Sequence, residues 1–102
     1  MKLKTIIFTL CTLQAPLSLA HTALMSCYSE GNGYISCDGG FSNGASAQGV
    51  QVRIEQNGIV IMQTQLDEYG EITFKKPQNE FTVVFDGGEG HRVYIADKDI
   101  VK

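Results

Sequence analysis

The chain holds two histidines, His21 and His91, and these are the residues best equipped to do chemistry. His21 follows Ala20 directly, so cleavage after Ala20 would make it the first residue of a mature protein. An N-terminal histidine offers its amine (ordinary pKa about 7.7–8.0) and its imidazole to one ion, a chelate that needs no help from a fold. A second imidazole from His91 makes a nitrogen-rich set suited to nickel, cobalt or copper. The carboxylates of Glu89 and Asp86 and the thioether of Met25 are the candidates to complete the shell. The same residues also have a plainer reading. His21 would be a frayed terminus, and His91 would only hydrogen-bond the turn carbonyls ahead of its strand.

Other chemistry finds little support. Asp86 and Glu89 could pass for an acid/base pair, but they sit in a Gly-rich turn with no evident nucleophile, and no serine or threonine lies near His91 in sequence. The expectation is therefore a non-enzymatic protein. Lys and Arg number 8 against 11 acidic residues, for a net charge of −3 with no basic run, which excludes a nucleic-acid surface. The Ser42–Gly49 stretch is followed by neither a lysine nor a helix, so it reads as a connection between sheets and not as a phosphate cradle. Glu30, Asp67, Glu68 and Glu71 read as solvated turn charges, and Tyr28, Tyr34, Tyr69 and Tyr94 as core and edge residues.

The N-terminus carries an export signature. Lys2 and Lys4 precede the apolar run Ile6 to Leu13, and Ser18-Leu19-Ala20 has the small-x-small form that signal peptidase reads. The run is shorter than the roughly 20 residues of a membrane span. Leu10 ahead of Cys11 does not suit lipoprotein attachment. The expected organisation is a cleaved signal over 1–20 and one domain over 21–102, exported to the periplasm and not inserted in the membrane. At 102 residues there is room for a single core.

Setting aside Cys11 leaves Cys27 and Cys37, an even pair in an oxidising compartment. Between them Glu30-Gly31-Asn32-Gly33 is a strong turn signal. A turn centred on Asn32 sets the two cysteines opposite each other on a hairpin, within disulfide reach. Their spacing is not the Cys-x-x-Cys of a redox enzyme or a zinc site, so the expected role is a structural disulfide.

The elements that must position these residues are strands. Val50–Glu55 alternates apolar and polar, Asn57-Gly58 is a hairpin turn, and Ile59–Leu66 returns. Asp67-Glu68-Tyr69-Gly70 turns again ahead of Glu71–Lys75, and Glu80–Phe85 and His91–Ile95 flank the Gly-rich Asp86–Gly90 loop. With Thr22–Tyr28 and Tyr34–Phe41 this makes about seven strands and no helix, an all-β Greek-key sandwich. All 11 glycines read as loop or turn residues.

The segment from Phe41 to Ile95 resembles the periplasmic accessory proteins of cobalt/nickel energy-coupling-factor transporters (CbiL-like), within the carboxypeptidase-regulatory-like or transthyretin-like sandwiches. The matching pieces are Phe41-Ser42-Asn43-Gly44 with Ala47–Val52, Asp67–Phe74, and Val84–Arg92, which ends in Gly88-Glu89-Gly90-His91-Arg92. The Ala20-His21 junction fits as well. The resemblance implies an exported sandwich that helps deliver a transition metal to a membrane transporter, with His21 and His91 as ligands. The alternative is a disulfide-stabilised interaction module that binds another envelope protein through a sheet edge, with no metal.

Overall fold

Period-two alternation broken by glycine and asparagine turns produces seven strands in a computed structural model, which describes residues 22–102. They are β1 (Ala23–Ser29), β2 (Tyr34–Phe41), β3 (Gln51–Gln56), β4 (Ile59–Gln65), β5 (Glu71–Lys75), β6 (Thr82–Asp86) and β7 (Arg92–Ala96). A short 3-10 turn, Asp97–Asp99, follows β7. The export signature over 1–20 and His21 lie outside the described residues. Among the described residues, no helix is long and apolar enough to cross a membrane.

The strands form a three-stranded sheet, β1-β2-β5, and a four-stranded sheet, β4-β3-β6-β7, in which every neighbour is antiparallel. After β4 the chain crosses to the first sheet for β5 and returns to lay β6 beside β3, a Greek-key connection. The alternation explains the core. Cys27, Ile35, Cys37, Ile72 and Phe74 from one sheet join Val52, Ile54, Val83 and Phe85 from the other in one buried cluster. The architecture is thus an all-β sandwich of two antiparallel sheets.

Local turn chemistry sets the registers. Asn57 and Gly58 both take positive φ, 52° and 78°, the conformation a two-residue hairpin requires between β3 and β4. Asp67 Oδ1 accepts from the backbone N–H groups of Tyr69 (2.8 Å) and Glu71 (2.9 Å), so this carboxylate shapes the turn into β5. Asn32 Oδ1 likewise accepts from Tyr34 N at 3.1 Å, and the β1–β2 pairing then sets Cys27 directly opposite Cys37. The disulfide joins them with Cα atoms 4.0 Å apart.

The glycines do not all lie in turns. Gly39 and Gly40 belong to β2. A Cβ on Gly39 would stand 2.7 Å from Leu66 Cδ1 and 2.8 Å from Phe85 Cε2, so this strand glycine makes room for the core. The C-terminal segment also contributes more than a tail. Ile100 is buried in the core cluster, and Val101 O accepts from Ser29 N at 2.8 Å in a parallel bridge beside β1.

Candidate functional site

The β6–β7 connection is built from Asp86-Gly87-Gly88-Glu89-Gly90-His91. Gly88 and Gly90 have φ of 103° and 83°, values that side-chain-bearing residues rarely adopt, which lets the loop fold back on itself. His91 N donates to Gly88 O (2.8 Å), and Gly87 N donates to His91 O (2.9 Å). These bonds place the His91 backbone at the base of the loop. Its ring meets Phe41 edge-on, with centroids 6.2 Å apart, and Phe41 meets Phe85 in the same way at 5.7 Å. A shallow cleft lined by Phe41, Asn43, Ala45, Gly87 and His91 opens beside the imidazole.

The chain enters the domain at this same end. Thr22 N donates to Ser42 Oγ at 2.7 Å, and Ser42 N donates to Thr22 O at 2.9 Å. Ser42 follows Phe41, the residue whose ring meets His91 edge-on. The first described residue is therefore tied beside the ring that contacts His91, although the two lie far apart in sequence.

The remaining candidate ligands are dispersed. Asp86 points its carboxylate along the outward face of the four-stranded sheet. Its Oδ2 accepts from Arg53 Nη1 (2.7 Å), and its Oδ1 accepts from Arg92 Nε (2.9 Å) and Gly88 N (3.0 Å). The hydrogen bond from Arg53 is the largest cause, followed by those from Gly88 N–H and Arg92, of a pKa lowered from the ordinary 3.8 to about 2. Arg53 also donates to Glu55 Oε2 at 2.6 Å, and its own pKa is raised, first by Glu55 and then by Asp86. With both oxygens facing guanidinium groups, Asp86 is engaged in a surface ion network. Met25 is half-buried and packs against the core cluster, and Glu89 stands exposed in the glycine loop. Among the described residues, no three of His, Cys, Asp and Glu cluster as a metal site would require.

Two features escaped the sequence reading. Arg53 and Glu55 are legible as polar-face residues of β3, but their link to Asp86 depends on β3 pairing with β6. The approach of Phe41 to His91 depends on how the two sheets stack.

No family model, curated protein or solved structure matches the chain.

Proposed function

We propose that this protein is an exported, non-enzymatic metal-binding accessory protein of the periplasm. It presents nickel, cobalt or copper to a membrane uptake system. The amine and imidazole of His21 with the imidazole of His91 are the ligand set, and Glu89 is the nearest carboxylate to His91 in sequence. Asp86 takes no part, because a cation there would have to displace two arginines. The observation that carries this reading is the pair of hydrogen bonds between Thr22 and Ser42, which ties the chain entrance to the His91 end of the sandwich. Imidazole and amine bind metal only when deprotonated, so affinity falls in acid.

Native mass spectrometry with copper, nickel and cobalt tests the proposal. The comparison is between protein that begins at His21 and a control with one extra residue ahead of it. One-to-one binding that is lost in the control and in His91→Ala supports the chelate. Equal weak binding by all three proteins overturns it.

A second reading, an interaction module that binds another envelope protein through a sheet edge, is favoured by β4. Three consecutive aliphatic residues stand exposed there on an outer strand. Its binding would be indifferent to chelators.

A further inference from the structure

The four outer strands of the sandwich are not protected alike. β1 is flanked at one end by the parallel bridge from Tyr28 to Val101. β5 is short and bracketed by the charges of Glu71 and Lys75, and β7 opens on Arg92. Charges and short length are ordinary defences against unwanted strand pairing. β4, Ile59–Gln65, has no charged residue and no proline, and among the described residues it pairs only with β3. Its Ile59, Val60 and Ile61 are 65%, 45% and 46% exposed.

The register adds a groove to this edge. Across β3, Ile54 faces Met62 and Glu55 faces Val60, so Ile61 is the extra residue of a β-bulge. Ile61 then lines an open groove of about 280 Å³ with Ile54, Met62 and Phe74. Lys75 and Lys76 form the rim. The chain carries a net charge of −3, yet neither lysine has a carboxylate within 4.0 Å among the described residues. An apolar floor with two uncompensated cations at its rim asks for a ligand that is aliphatic and negatively charged.

We infer that the β4 edge takes up an extended partner segment as an added strand, and that this segment is aliphatic and ends in carboxylates. The inference rests on the interaction-module reading and is independent of the metal. Backbone groups of the segment pair with the outer edge of β4, alternate aliphatic side chains cover Ile61 and Met62, and carboxylates meet Lys75 and Lys76. A second copy of the chain is the poorer occupant. Its β4 carries no carboxylate, and it would bring its own two lysines to the junction.

The test uses the purified protein, isotope-labelled, and two end-blocked peptides of alternating valine and threonine. One peptide closes on two aspartates and the other on two lysines. The expected result is that the aspartate peptide shifts amide resonances within residues 59–65 and at Lys75 and Lys76, binds at least about ten-fold tighter than the lysine peptide, and weakens with salt. The double variant Lys75→Glu/Lys76→Glu should reverse that preference, and Ile61→Gln should weaken both peptides while resonances elsewhere stay in place. Equal binding of both peptides at β4 overturns the acidic partner while keeping the edge as a docking site. Absence of shifts at β4 with either peptide overturns both. Concentration-dependent self-association that shifts the β4 resonances without peptide assigns the edge to a second copy and overturns the inference.

Discussion

Arg53 Nη1 lies 2.7 Å from Asp86 Oδ2, a contact between residues 33 positions apart that becomes diagonal neighbours where β3 pairs with β6. In the same register Arg53 stands directly opposite Val84, whose other partner is Tyr94. Val84 is fully buried although the alternation of β6 turns it outward from the core. The outward face of the four-stranded sheet is thus organised around a guanidinium, and the Asp86 carboxylate joins that face to the glycine loop through its bond from Gly88 N.

This pairing sets an acid dependence. Asp86 has its pKa lowered to about 2 in the folded protein, against 3.8 ordinarily, so its ionised form favours folding. The contribution is complete above about pH 4 and disappears as pH falls towards 2. Asp86→Asn should cost about 1 kcal/mol at neutral pH, a modest figure because the network is partly solvent-exposed. Urea unfolding at a series of pH values checks this. The gap between wild type and variant should close below pH 4, and a gap that stays constant down to pH 2 would remove the ion network as its cause.

The disulfide between Cys27 and Cys37 closes a short loop, and by loop entropy it should contribute about 2–3 kcal/mol. In a domain this small, reduction should lower Tm by about 10–20 °C. Scanning calorimetry with and without reductant reads the difference directly. A shift of only a degree or two would mean that the β1–β2 hairpin holds its register without the bond.

Gly39 and Gly40 make a matched pair of probes on one strand. Gly39→Ala should cost about 1–3 kcal/mol, because its Cβ meets Leu66 and Phe85 at under 3 Å. Gly40→Ala meets nothing within 4 Å and should be neutral or slightly stabilising. Equal losses from both, measured by chemical denaturation, would refute the close packing of Phe85 against β2.

Ile100 tests whether the C-terminal segment belongs to the core. It is 6% exposed and lies in the buried cluster, so Ile100→Ala should cost about 2–4 kcal/mol. The neighbouring Val101→Ala, at an exposed position, should cost far less. Comparable effects from the two, read as thermal midpoints, would indicate a segment that merely lies on the surface.

The strands and turns were legible in the residues because their causes are local. Alternation over a few positions, paired positive-φ residues at Asn57-Gly58 and the turn at Asn32 each act within one hairpin, and the opposition of Cys27 and Cys37 follows from them. Boundaries moved by a residue or two, as at β6, which begins at Thr82 and not at Glu80. Asp86 stood out as a candidate ligand only because it precedes His91 in sequence. Its partner Arg53 is on another hairpin, and no local pattern encodes which strands become neighbours.

Sequence alone determined that this chain forms short antiparallel strands, where they turn, and that its cysteine pair closes a hairpin. Tertiary structure alone decided that Gly39 must lack a side chain, that Phe41 reaches His91, that Asp86 binds two arginines, and that the uncharged β4 lies at an open edge. The division has one physical cause. Turn and strand preferences arise from contacts between residues near in the chain, whereas sheet order and stacking arise from burying distant apolar faces together. The surroundings of each side chain at the sandwich's end and edge exist only after that burial has occurred.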